Sequence, residues 1–229
     1  MTASEPGDHQ PGRPAHLPGR EIVAEFRSPA AVLLAGGPVD LEVLLRLSGG
    51  VPATVTTSVA RATGRSRDYR FEAHAPDGTL LTDPYAAAVE IGGVQASSVL
   101  SAGEPLCDRV LLNQFLTLER IRPMLEEGES FELRVSGTRQ LHLAGGVDGE
   151  AGAEVIVELL RDDAALHAEL NRIAESIRDT SDYTIERARQ LLALASIRDP
   201  IGSDALTIVI GHHDAAVAAM ARQALTALG

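Results

Sequence analysis

Residues 153–177 read AEVIVELLRDDAALHAELNRIAESI, and the spacing of the apolar side chains changes inside them. Ala153 to Leu160 is dense in branched aliphatic residues, the composition of a buried strand. Beyond it, Leu166, Leu170, Ile173, Ala174 and Ile177 recur at i, i+4, i+7, i+8 and i+11, one face of a helix. Asp162 or Asp163 stands where a carboxylate can accept from the first free amides of that helix. The stretch divides the chain into a part written in strands and a part written in helices.

Working upstream, short strand signals follow one another. They are Ile22–Phe26, Ala31–Ala35, Val39–Leu47 with Val39, Leu41, Val43 and Leu45 at period two, and the β-branched run Ala53–Ala60. Tyr69, Phe71 and Ala73 alternate with Arg70, Glu72 and His74 ahead of a Pro76-Asp77-Gly78 turn. Residues 83–105, broken by Asp83-Pro84, Gly92-Gly93 and Gly103, read as a long loop, the kind of place where function resides. Arg109–Leu118, Phe131–Val135 and Gln140–Leu143 return to strand character, and Gly145–Gly152 reads as a glycine-rich connection to the last strand. This spacing predicts a β-sandwich with mostly antiparallel pairing. Residues 1–20, rich in Pro and Gly, read as a disordered tail.

Working downstream, further helices are expected over 182–196, 203–210 and from Asp214 onward, with Asp199-Pro200 as a stop. The segment RARQLLALASIRDPIGSDALTIVIGHHDAAVAAMARQALTALG resembles HEAT-type repeats. The β-rich part, through its PDG turn, Asp83-Pro84 and LLNQFL, resembles more weakly the β-sandwich domains that precede such repeats in some bacterial proteins of unassigned role. The resemblance implies an α+β chain: a tail over 1–20, an antiparallel β-sandwich over 21–160, and a short HEAT-like helical array over 161–229. Neither match has a catalytic residue to carry over. The chain offers about one and a half repeats, fewer than such arrays need to bury their own faces, so the helices are expected to lean on another surface.

The formal net charge is −12, from 32 acidic and 20 basic residues, and all of the basic residues are Arg. That balance opposes nucleic-acid backbones and anionic membranes; no run of Arg overrides it. Aromatic residues make up 3% of the chain and Trp is absent, which argues against base stacking. A single cysteine, Cys107, forms no intrachain disulfide, and no signal-peptide or membrane-spanning stretch stands out, so a cytoplasmic location is expected.

Five clusters invite a chemical reading, and each has a blander one. His212-His213-Asp214 suggests a metal or acid–base site, but neighbouring side chains on a helical turn diverge by about 100°, and a turn with Asp214 as cap is favoured. Cys107 sits beside Asp108, which raises a thiol pKa rather than lowering it. Asp148, Glu150 and Glu154 lack calcium-loop order. Glu126, Glu127, Glu129 and Glu132 read as a solvated run. Asn113 and Gln114 interrupt an apolar run and are expected to bond backbone. No catalytic residue, metal or cofactor follows.

The function expected from these readings is a non-enzymatic interaction or scaffold protein with a protein partner or self-association. Glu186, Arg189, Gln190 and Arg222 are the expected contact residues, on helix faces opposite the apolar stripes. The alternative is a small-ligand-binding protein or enzyme, with its site in the 83–105 loop or at the junction of sandwich and helices.

Overall fold

In a computed structural model the change of period at Leu160 is the boundary between strands and helices. Residues 13–17, 20–49, 51–60, 65–86, 93–143, 147–179, 185–198, 200–212 and 214–228 are described. Strands β1 (Ala15–Leu17), β2 (Arg20–Arg27), β4 (Asp40–Gly49) and β8 (Leu106–Leu111) form one antiparallel sheet in the order β1-β2-β4-β8. The second sheet runs β3-β10-β9-β5-β7, with β6 also paired to β9. Its members are β3 (Val32–Leu34), β5 (Ala53–Ala60), β6 (Tyr69–Ala73), β7 (Gly93–Leu100), β9 (Ser130–Leu143) and β10 (Val147–Leu160). Pairing is antiparallel except for β3, which lies parallel to β10 at the sheet edge. One apolar cluster takes Phe26, Leu41 and Val43 from the first sheet and Leu133, Val135, Val155 and Val157 from the second. The two sheets therefore share a core, and the period-two residues Val39, Leu41, Val43 and Leu45 are all buried in it or beside it.

Several local expectations are corrected. Part of the stretch 1–20 read as a tail is ordered, because Ala15–Leu17 pairs with β2; residues 1–12 lie outside the described residues. The two short strands expected at 131–135 and 140–143 are one strand, and the glycine-rich connection is mostly the start of β10, so β9 and β10 pair continuously from Val147↔Leu143 to Leu160↔Ser130. Glycine is used here for closeness: a Cβ on Gly137 would strike the ring of Phe26 and come within 2.7 Å of Phe71. The 83–105 segment is not all loop, since Gly93–Leu100 forms β7 and pairs along the whole of β5. Conversely, the apolar run 109–118 stops being strand at Leu111 and turns into a 3-10 turn at Leu112–Gln114. Asn113 explains this. Its carbonyl oxygen accepts from the Val39 amide at 2.8 Å and its amide donates to the Gly37 carbonyl at 3.0 Å, so the run ends where the side chain locks onto the β3–β4 connection.

Helices α1 (Asp163–Arg178), α2 (Ile185–Ser196), α3 (Pro200–Ile210) and α4 (Ala215–Leu228) pack around a second core. The expected stripe Leu166, Leu170, Ile173, Ala174 and Ile177 is the buried face of α1. Asp162 caps α1 by accepting from Ala165 N at 2.8 Å, and Asp214 caps α4 through Ala216 N at 2.7 Å. Pro200 opens α3 rather than merely ending α2, since its fixed φ and missing N–H suit a first helical position. The helices lean on the strands. Leu34 packs into the helical core. Asp163 accepts from Arg122 at 2.9 Å and Arg161 at 3.1 Å. Arg189 of α2 donates to Asp40 of β4 at 2.6 Å.

Candidate functional site

The stretch RSRDYR, residues 65–70, enters β6 and sets three arginines close together in a chain that is otherwise acidic. Arg65, Arg67 and Arg70 line a cleft of about 470 Å³ with Asp83, Tyr85 and Phe115. Arg65 forms a bidentate pair with Asp83, at 2.8 and 2.7 Å, and its guanidinium lies 4.3 Å from the centre of the Phe115 ring. Asp83 also accepts from the Tyr85 amide at 2.8 Å, which shapes the turn that carries Tyr85. From the other side Arg198, beyond the end of α2, donates to the Pro84 carbonyl at 3.3 Å and covers the Tyr85 ring at 4.9 Å. The 83–86 turn is thus held between the sheet and the helices, with its aromatic ring on the cleft.

Behind the cleft, polar groups penetrate the β-rich core. Arg139 of β9 is fully buried. One guanidinium nitrogen donates to Thr57 Oγ1 at 2.9 Å and another lies 3.6 Å from the Asp108 carboxylate. The face of Tyr69 lies 5.1 Å from the guanidinium, and the Tyr69 hydroxyl donates to Asp108 Oδ2 at 2.9 Å. Burial pushes the Tyr69 phenol up, keeping it protonated and a donor. Asp68, 2% exposed, accepts from the Ser58 amide at 2.8 Å. Burial pushes its carboxyl up from the ordinary range, against the opposing pull of that amide, Arg139 and His142. His142 Nδ1 lies 3.0 Å from Asp148 and Nε2 lies 3.8 Å from Asp68.

A second cleft, about 560 Å³, lies at the junction of strands and helices and is lined by Arg122, Arg161, Arg198, Glu119 and Asp204 among others. Hydrogen bonds from Arg122 and Arg161 hold the Asp163 carboxyl well down, at about 2.

The expected partner-contact residues lie on α2 and α4. Arg189 is turned inward, donating to Asp40 and, at 3.4 Å, to the Arg109 carbonyl. Gln190 Oε1 is buried with no hydrogen-bond partner among the described residues. Arg222 is exposed on α4, and the side chain of Glu186 lies outside the described residues. Among the blander readings, Cys107 is exposed at the start of β8. His212 Nδ1 accepts from the Asp214 amide at 2.9 Å, and His213 lies outside the described residues. Glu129 accepts from the Glu126 amide at 2.7 Å in an exposed turn. Asp148, Glu150 and Glu154 sit along β10. Among the described residues no group of three or more His, Cys, Asp or Glu is placed to hold a metal ion, and no helix is long and apolar enough to cross a membrane. Sequence reasoning missed the arginine cleft because it looked for an unbroken run of Arg. The signal present was three Arg within six residues, beside an aromatic strand.

No family model matches the chain. Over 96 residues it is 34% identical to the CMP-5'-(3-aminopropyl)phosphonate synthase of Streptomyces rubellomurinus, a match covering 40% of this chain. The chain spans about 15% of the length of that relative. The sporulation control protein Spo0M of Bacillus subtilis aligns over 68% of this chain and 54% of its own, with 14% identity and a TM-score of 0.27, a value that carries no argument. The likeness to a synthase overturns the non-enzymatic scaffold reading, the leaning against an enzyme, and the HEAT-type and protein-binding labels that went with them. The physical basis of that reading was also thin: helical periodicity reports a buried stripe, which any packed helix has.

Proposed function

We propose that this chain serves an enzymatic function by binding a small, phosphorus-containing anion in the cleft beside the 83–86 turn. The observation that carries the reading is the convergence of Arg65, Arg67 and Arg70 on one cleft of a chain with net charge −12. Guanidinium groups match phosphate and phosphonate oxygens in charge and in planar two-point geometry. Tyr85 and Phe115 supply apolar walls for the remainder of the ligand, as small-molecule sites usually require. The similarity to a synthase named for a phosphonate and for CMP supports the same class of ligand. In this reading the two sheets form a sandwich that takes in 21–160 together with β1 and Arg20, the helices over 161–229 make a second unit, and Arg198 from the second steadies the cleft of the first.

The junction cleft is the second reading, favoured by its larger volume. It ranks below the first because its lining sets Glu119 and Asp204 against three arginines, whereas the first cleft sets Asp83 alone against three. Calorimetric titration of the full chain with CMP and with 3-aminopropylphosphonate tests the proposal. Saturable binding of at least one is expected, weakened about tenfold by Arg70→Ala, the loss of one charge-assisted contact. No binding, or binding indifferent to Arg70→Ala, contradicts it.

A further inference from the structure

Beside the arginine cleft lies a smaller pocket of about 110 Å³, lined by Thr57, Ser66, Asp108 and Gln114. The two share Tyr69 and Phe115 as common walls. A space of that size corresponds to about three waters, enough for one or two polar groups of a ligand whose anionic end occupies the larger cleft.

The charge balance of the small pocket decides what those groups are. Asp108 is its carboxylate, a third exposed on its side chain; Arg139 lies 3.6 Å behind it with no exposure of its own, and Arg109, which also lines the pocket, has its guanidinium 3.5 Å from the Asp40 carboxylate. The buried cation offsets the carboxylate, so an ammonium group placed there gains little. A second anion would meet Asp108 directly. A neutral group that both donates and accepts meets neither obstacle. Asp108 uses one acceptor direction on each oxygen, for Tyr69 OH at 2.9 Å and for the Arg109 amide at 3.0 Å. A carboxylate offers about four such directions; the second on Oδ2 faces Arg139 at 3.6 Å, so among the described residues one on Oδ1 remains. The Thr57 and Ser66 hydroxyls add groups able to donate or accept. Tyr69 and Arg139 fix the Asp108 carboxylate from behind and act as positioning residues.

We propose that the ligand is a phosphate ester carrying free hydroxyl groups, of the sugar-phosphate or nucleoside-phosphate class, with its hydroxyls received by Asp108, Thr57 and Ser66. This deepens the proposed function and rests on it, since the arginine cleft supplies the anion site that sets the ligand's orientation. A carboxylate that accepts from a sugar hydroxyl discriminates strongly against ligands lacking it, because the site's water or hydroxyl partner is then lost.

The test is a pair of titrations on the full chain, with ribose 5-phosphate and with butyl phosphate, which share the phosphate and differ in hydroxyls. Ribose 5-phosphate is expected to bind at least about tenfold more tightly. Asp108→Asn is expected to shrink that ratio, and Arg70→Ala to weaken both probes alike. The wild-type ratio stands as a test even should Asp108→Asn fail to fold. Equal binding of the two probes, with both weakened by Arg70→Ala, overturns the hydroxyl pocket and leaves the anion cleft standing. Binding of neither probe overturns both.

Discussion

The interiors of the strand region and the helical region are built on different terms. The helical core gathers Leu166, Leu170, Ile173, Leu191, Leu194, Leu206, Val209 and their neighbours. Among the described polar residues of the helices only Ser196 is buried as a whole, and it donates to the Ala193 carbonyl at 2.8 Å, while Gln190 of α2 buries its Oε1 alone. The strand region buries Asp68, Asn113, Gln114 and Arg139. Polar burial is costly unless partnered, so an interior that accepts it is held together by specific geometry, whereas an apolar one is held by area. The cleft sits against the polar interior. The helices stabilise and brace, and the polar interior beside the proposed site belongs to the strands.

The comparison breaks most readily at Arg139. Arg139→Ala strips the cation from Asp108 and exposes a cavity, and is expected to cost about 4 kcal/mol in denaturant unfolding. Leu206→Ala, fully buried in the helical core, is expected to cost about 3 kcal/mol through lost transfer energy and cavity. A Leu206 effect well above the Arg139 effect would reverse the ranking of the two interiors. Asp162→Ala, which removes the α1 cap, is expected to cost about 1 kcal/mol by thermal unfolding.

The smallest effect concerns the seam between the regions and is read by pH. The Asp163 carboxyl is held down at about 2 by Arg122 and Arg161, below the unfolded value of about 3.9. Its contribution is therefore present above pH 4 and is lost as pH falls through about 2. The pair is part-exposed, so solvent screening limits it to less than about 1 kcal/mol. Asp163→Asn should flatten stability between pH 4 and 2 and lower it above pH 4. An unaltered pH profile would mean that the ion cluster does not hold the seam.

The helical half was open to reading because its information is local. Stripes at i, i+4 and i+7, an Asp before each stripe and a Pro at position 200 each report on neighbouring residues. Strand existence was legible for the same reason at β4, β5 and β6. Strand partnership was not. The union of Phe131–Val135 with Gln140–Leu143, and the pairing of Gly93–Leu100 with β5, depend on residues far apart in the chain. The site suffered most. Arg139 lies on β9, Asp108 on β8 and Thr57 on β5, and only pairing in three dimensions joins them. The 83–105 segment was singled out because glycine and proline break its pattern, and its first turn does border the cleft.

The arginine cleft is the proposed seat of a small anion. Backbone amide chemical shifts of the full chain, followed by NMR while CMP is added, locate it directly. Saturable shifts are expected at Arg65, Arg67, Arg70, Tyr85 and Phe115, with the amides of α1 and α3 unmoved. Shifts centred instead on Arg122, Arg161, Ile201 and Asp204 would place the ligand at the junction and contradict the assignment of the arginine cleft.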